Sequence, residues 1–218
     1  MRNPFADCGL FFKEFFTNFH TTGAVMPSGR FLAAALARFV REGTDPDRKI
    51  PDRKILEVGP GTGAVTRWII PAMRDGDQLD LVELNDSFVA RLRDRFEHDP
   101  LFQTVAPRSR VLHCGLEELA DGQRYDLIVS GLPLNNFSAE VVEQLLAVMV
   151  GLLQPGGTLS FFEYIGMRRL RSLVSRRAER LRLQGIARAM DTVLDNQEIA
   201  RDRIWPNVPP AWVHHVRV

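Results

Sequence analysis

With 218 residues and a formal net charge of +1, the chain is long enough for one sizeable core and short for two ordinary domains. Its 45% apolar and 25% charged residues exclude a disordered chain. Lys plus Arg at 28 against Asp plus Glu at 27 argues against a surface coated in charge for non-specific nucleic-acid binding. Two biases remain to be explained: all but three of the basic residues are Arg, and eight of the 14 Phe lie in the first 39 residues.

Cys8 and Cys114 are far apart and in no metal-like spacing, so neither a disulfide scaffold nor a metal site is expected and a reducing compartment fits. The longest apolar stretches, such as Leu145 to Leu153 around Gly151, fall short of a membrane span. Lys13 and Glu14 interrupt the Phe-rich stretch and no small-residue cleavage site follows, so no secretory signal is expected and the address is cytoplasmic.

Residues 10–20 place Phe11, Phe12, Phe15, Phe16 and Phe19 on one helix face, with Lys13, Glu14 and Asn18 opposite. After Pro27-Ser28-Gly29 a second helix runs from Arg30 to Arg41, with Phe31, Leu32, Ala35, Leu36 and Phe39 as its buried stripe. The duplicated pentapeptide Pro46–Ile50 and Pro51–Ile55 is too short to be an architectural repeat. Strands then alternate with helices. Lys54–Val58, Gln78–Leu84, Arg110–His113, Tyr125–Ser130 and Thr158–Tyr164 read as strands. Ala64–Met73, Asp86–Phe96 (with Asp86 as N-cap) and Ala139–Leu153 read as helices, with a helical turn at Leu116–Ala120. An Arg-rich helix follows over roughly Arg168–Ala189, then two short strands near Glu198–Ile204 and Trp212–Val218 around a Pro-rich loop. Such alternation implies an α/β fold: a mostly parallel seven-stranded sheet, helices on both faces, and one antiparallel strand near the C-terminus. Ligands of such sheets sit beyond the carboxyl ends of the strands, near the switch in strand order.

The strongest motif is Glu57-Val-Gly59-Pro-Gly61-Thr-Gly63, after a strand and before a helix. Glycines permit a tight turn and close approach of a ligand, and the following helix start offers unpaired N–H groups. Glu83 ends the next strand, where a carboxylate is placed to accept ribose hydroxyl bonds. This pattern resembles motif I and its companion acid in the class I S-adenosylmethionine-dependent methyltransferases, and implies their Rossmann-like fold. It also implies S-adenosylmethionine as cofactor. On that resemblance Gly59, Gly61 and Gly63 line its methionine and ribose portions, Glu83 with Leu84 holds the ribose, and Glu57 supports the ammonium side. Where many members carry an acid after the third strand for the adenine amino group, this chain has Gly115. Backbone groups at Gly115 and Leu116, or the nearby Glu117, are the candidate substitutes.

The fourth strand runs into Ser130-Gly-Leu-Pro-Leu-Asn-Asn-Phe137. The rRNA adenine dimethyltransferases carry Asn-Leu-Pro-Tyr here, whose Asn orients the nitrogen and whose ring stacks the flipped base. Gly131 and Leu134 stand at those two positions; Phe137 remains as a stacking candidate, and base methylation ranks second. Gly131–Leu134, Val25–Ser28, Glu57–Gly63 and Trp205–Ala211 together resemble the bacterial phospholipid N-methyltransferases over nearly the whole chain. The resemblance implies methylation of phosphatidylethanolamine at an anionic membrane surface by a single domain. Residues 1–45 form its helical cap and residues 46–218 its core.

Ser130, Gly131, Leu132, Pro133 and Asn135 are the candidate catalytic residues, their carbonyls and side chains holding the attacking amine. Tyr164 and Trp205 are candidates for contacting the methylated cation. The Phe face at 11–19 reads as a lid, a membrane anchor, or both. The eight arginines between Arg168 and Arg188 read as a solvated face or a phosphate-attracting one, for lipid or RNA alike. His214 and His215 alternate faces and receive no role. Small-molecule methylation without membrane contact is the remaining alternative.

Overall fold

A computed structural model describes residues 29–42, 52–119, 122–165, 185–186, 190, 194–195 and 197–218. The Phe-faced helix at 10–20, the segment Val25–Ser28, the first copy of the duplicated pentapeptide and the arginines from Arg168 to Arg188 lie outside the described residues.

Two short helices, α1 (Arg30–Leu36) and α2 (Arg38–Glu42), precede the sheet. Then follow β1 (Lys54–Val58), α3 (Thr66–Ile69, extended as a 3-10 turn over Ile70–Ala72), β2 (Gln78–Glu83), α4 (Asp86–His98), α5 (Pro100–Gln103) and β3 (Ser109–His113). The chain continues through β4 (Tyr125–Ser130), α6 (Ala139–Gly151), β5 (Leu153–Tyr164), β6 (Glu198–Ile204) and β7 (Ala211–Arg217). The seven strands form one sheet in the order β3-β2-β1-β4-β5-β7-β6. β1 to β5 pair in parallel, and β7 runs antiparallel to both β5 and β6. The seven-stranded, mostly parallel sheet with one antiparallel strand is therefore present.

The central strands carry near-continuous apolar runs because both faces are covered: β4 is buried at all six positions. Alternate residues feed two cores. Leu56, Ile128, Leu159 and Phe161 pack with Val142, Leu145, Leu146 and Met149 of α6. Ile55, Leu127, Val129 and Phe162 pack on the other face with Leu32 and Leu36 of α1, Phe39 and Val40 of α2, and Leu92 of α4.

Several boundaries differ from the sequence expectation, each for a local reason. The helix expected over Arg30–Arg41 breaks at Ala37, and Phe31 points outward while Ala33 and Val40 join the buried stripe. The glycine turn continues through Val65, so α3 starts at Thr66 rather than Ala64. The N-cap of α4 is Asn85, whose side chain accepts the N–H groups of Ser87 and Phe88; Asp86 is the first helical residue, where its charge suits the helix dipole. α5 was not anticipated; Asp99 caps it by accepting the Leu101 N–H, with Pro100 in its first turn. β5 begins already at Leu153, with the Pro155-Gly156-Gly157 segment carried as an irregularity in its ladder to β4.

Candidate functional site

Strand order reverses between β1 and β4, and a cleft lies beyond the carboxyl ends of β1 and β2. Gly59 N–H donates to the Val82 carbonyl and Gly131 N–H to the Val58 carbonyl, so the glycine loop and the segment after β4 leave the sheet side by side. Gly59 has φ +67° and Gly61 φ +56°, a left-handed region that strains any side-chain-bearing residue. A Cβ on Gly59 would lie 2.3 Å from Leu132 Cδ2, whereas Gly61 has nothing within 4 Å. The loop is thus packed at its first glycine and open at its second. Gly63 does not line the cleft: it packs on Phe102 and Leu92, seating the loop on the hydrophobic core.

The cleft over these ends is open to solvent. Of the residues singled out in the sequence, Gly59, Glu83, Leu84, Gly115, Leu116, Glu117 and Leu132 meet in its wall. Val58, Val82 and Cys114 complete it without having been foreseen; each follows from strand ends facing the same crevice. Burial raises the Cys114 thiol above its ordinary value, with Glu118 and Glu117 adding to the effect.

Two buried carboxylates belong to these strand ends: Glu83, in the cleft wall, and Glu57, which does not reach it. Glu83 is buried, and three backbone N–H groups hold it: Gly61 at 3.0 Å on one oxygen, Leu84 and Asn85 at 2.9 Å each on the other. Burial raises its carboxyl above the usual range against the opposing pull of those bonds. Glu57 is fully buried beneath the loop. Its Oε2 accepts the Thr66 hydroxyl at 2.7 Å, while its Oε1 has no hydrogen-bond partner among the described residues. Burial pushes the Glu57 carboxyl up to about 8, opposed by the Thr66 bond and aided by the Glu83 charge. A buried carboxylate oxygen left unmatched is costly, and here it sits below the loop whose second glycine faces open space.

The position that lacks an acid after β3 is filled from elsewhere. A Cβ on Gly115 would lie 2.4 Å from Glu117 Oε1, so the Glu117 carboxylate occupies the space a side chain at 115 would take. Gly115 N–H is itself capped by Glu118 Oε1 at 2.7 Å.

The segment after β4 is tightly constrained. A Cβ on Gly131 would meet the Gly59 carbonyl oxygen at 2.8 Å, so no side chain fits there on this backbone. Ser130 is buried, its Oγ near the Leu132 N–H at 3.4 Å. Pro133 leads into a short 3-10 turn at Leu134–Asn136. Asn135 is buried and its Oδ1 accepts the Tyr164 N–H at 3.0 Å, tying this turn to the end of β5. Leu134 and Phe137 are fully buried, so Phe137 presents no ring for stacking.

The outlying candidates also take definite places. Tyr164 is partly buried with its ring edge-on to Phe162. Trp205 is exposed, and the Arg203 guanidinium lies 3.9 Å above its ring. His214 and His215 are buried in β7: His214 Nδ1 lies 2.7 Å from Glu198 Oε1, and His215 bridges Ser160 and Asp202. Burial lowers His215 to about 4, so it is neutral at pH 7 and structural. Among the described residues no group of three or more His, Cys, Asp or Glu is placed to hold a metal ion. No described helix is long and apolar enough to cross a membrane.

Residues 56–159 match the protein family described as "Methyltransferase domain". An ornithine lipid N-methyltransferase from Singulisphaera acidiphila is 29% identical over 157 residues, covering 71% of this chain and 76% of that protein. Ribosomal RNA small subunit methyltransferase A from Synechococcus sp. (strain RCC307) is 36% identical over 104 residues, 47% of this chain but only 34% of that protein. Among solved structures, an O-methyltransferase from Bacillus cereus in complex with SAH superposes with a TM-score of 0.63 at 14% identity, over 95% of this chain and 90% of that one.

Proposed function

We infer, from the premise that this chain is an S-adenosylmethionine-dependent methyltransferase of Rossmann-like fold, that its methyl acceptor is the amine of a membrane lipid headgroup. The observation that carries this reading is the acceptor side of the crevice. Position 131 has no room for a polar side chain, and Leu134 and Phe137 are buried. An enzyme that stacks and orients a flipped base needs an exposed aromatic and a polar group there; an alkyl amine needs neither. Similarity to an ornithine lipid N-methyltransferase agrees with that acceptor class. Phosphatidylethanolamine is the specific acceptor proposed.

The residues present fit the cofactor. Its ribose hydroxyls have a buried carboxylate in Glu83, its ammonium group has the unmatched Oε1 of Glu57, and its adenine amino group has Glu117 in place of an acid at 115. Gly59, Gly61, Leu84, Gly115 and Leu116 supply backbone around it, and Gly63 seats the loop. When bound, the cofactor supplies an electrophilic methyl group on a sulfonium. The chain's own contribution is placement. The carbonyls of Ser130, Gly131 and Leu132 accept N–H bonds of the amine, Pro133 and Asn135 hold that turn rigid against β5, and Leu132 excludes water beside Gly59. Held in line, a free amine needs little further assistance.

We further propose a single domain in which residues 1–45 cap the core of residues 46–218, working at the membrane surface. The test incubates the full chain with labelled S-adenosylmethionine and either phosphatidylethanolamine in mixed micelles or total RNA. Label in the lipid is expected; label in RNA alone overturns the reading.

A further inference from the structure

The carboxyl edge of the sheet carries a second feature beside the cleft. Tyr164 of β5 and Ile204 of β6 both pair with Ala211 of β7. The 205–210 tip joining β6 to β7 therefore lies beyond the end of β5, on the same rim as the glycine loop and the segment after β4. The buried Asn207 side chain clasps this tip to the start of α1. Its Oδ1 accepts the Gly29 N–H at 3.1 Å, and its Nδ2 donates to the Pro209 carbonyl at 2.8 Å. Tip and first helical turn thus form one surface.

That surface exposes apolar side chains it has no folding reason to expose: Val208 is 71% accessible, Trp205 58% and Phe31 45%. Both rings are flanked by arginine, Arg203 at 3.9 Å from the Trp205 centroid and Arg30 at 4.7 Å from that of Phe31. Arg201 and Arg203 also bracket Trp212, at 4.8 and 5.0 Å. Neither 203–212 nor 29–41 contains an acidic residue. The acids nearby are committed elsewhere: Glu42 and Asp202 to Arg38, and Glu163, opposite Trp212 in the ladder, beside His214.

We propose that this surface docks the protein onto an anionic phospholipid bilayer. Trp205, Val208 and Phe31 enter the interfacial layer, while Arg30, Arg201 and Arg203 meet the lipid phosphates. Charge complementarity selects the occupant, since the surface is cationic without an acid of its own and anionic leaflets attract such clusters. Tryptophan favours the level of the headgroups, and arginine keeps its charge at the water boundary while its stem lies on the ring. RNA would satisfy the arginines, yet it would leave Val208 without a partner and find one face of each ring already covered by a guanidinium. The proposal rests on the lipid-amine reading: an acceptor embedded in a bilayer reaches the crevice only if this rim faces the bilayer.

The test floats the full chain with vesicles of phosphatidylcholine alone and of phosphatidylcholine mixed with phosphatidylglycerol. Calorimetric S-adenosylmethionine affinity serves as the folding control for each variant. Trp205→Ala combined with Val208→Ser should lower partitioning onto the mixed vesicles by roughly tenfold with cofactor affinity unchanged. Arg30→Gln combined with Arg203→Gln should abolish the preference for the anionic vesicles. The Arg30→Gln, Arg203→Gln variant should keep the wild-type rate on detergent-solubilised phosphatidylethanolamine while losing it on vesicles. Flotation unchanged in both variants overturns the docking surface, as does loss of RNA binding with vesicle binding intact. Methylation of RNA and of no lipid in any form overturns the acceptor reading instead, and the flotation result is read independently of it.

Discussion

The two ends of the sheet bury charge in opposite ways. At the amino end, Arg53 and Asp77 are buried and meet in a two-pronged ion pair, with Nε to Oδ1 at 3.0 Å and Nη2 to Oδ2 at 2.5 Å. Arg53 Nη1 also donates to the Val40 carbonyl, and Asp77 accepts the N–H groups of Arg53 and Arg74. Asp80 is likewise held by Arg110 and by the Tyr125 hydroxyl. At the carboxyl end, Glu57 and Glu83 are just as buried, but among the described residues neither forms an ion pair; their partners are a hydroxyl and three N–H groups. Charges completed inside the fold serve the fold, and charges left incomplete at a cleft leave capacity for a ligand. On the proposed cofactor assignment, the ligand that completes them brings an ammonium group and two hydroxyls.

Breaking the amino-end pair should have the largest effect. Asp77→Ala strands a buried guanidinium and is expected to cost about 3–5 kcal/mol in urea denaturation, with little change in cofactor affinity in whatever fraction folds. The carboxyl end should instead make the cofactor-free protein sensitive to pH. Glu57 takes a proton up to about 8 when folded but has an ordinary value of 4.5, so between those limits the folded state binds more protons than the unfolded one. Stability therefore falls as pH rises through that window, by at most about 1.4 kcal/mol per pH unit. Glu83 acts in the same direction. Thermal melts of Glu57→Gln should be flatter than wild type across the same range, and a steeper melt series for the variant would contradict the burial argument.

Smaller effects sharpen the same contrast. Glu83→Ala should weaken S-adenosylmethionine binding by roughly 10- to 100-fold, the loss of a charged hydrogen-bonding group. Its unfolding free energy should change far less than that of Asp77→Ala; calorimetry showing unaltered affinity would remove Glu83 from the ribose assignment. Glu117→Ala should cost about fivefold in affinity, below the range for a buried hydrogen bond to a charged group because Glu117 is only half-buried. Binding of an analogue lacking the adenine amino group should be indifferent to that substitution.

Much of this contrast was readable in advance, though unevenly. β4 falls where the pattern puts it because two-sided burial imposes continuous apolar sequence, whereas β6, at the sheet edge, follows the period-two alternation of a half-exposed strand. Glu57, the three glycines and Glu83 are visible as a motif because the backbone demands are local: left-handed turns, and an acid at a strand end. The Glu117 side chain over Gly115 is visible only as one candidate among several, since nothing local says which group fills the gap. Asn207 was legible as part of a Pro-rich motif but not as the clasp on Gly29, which lies 178 residues away. The Arg53–Asp77 pair and the bond from His215 to Ser160 left no trace in the pattern at all. Side chains that meet across strands have no fixed spacing in sequence.

The amino-acid sequence by itself determined the fold class, the place of the cofactor loop, its acidic companions and the departures at Gly115, Gly131 and Leu134. These depend on periodicity and on conformations that few residue types adopt. Only the tertiary structure decided which of those residues face the cleft, that Gly63 supports the loop instead of lining it, and that Phe137 is buried. It also decided that the Trp205 tip and the start of α1 share one rim with the crevice. Burial and neighbourhood are properties of chain segments brought together, and a linear pattern constrains them only through the sheet order it does not encode.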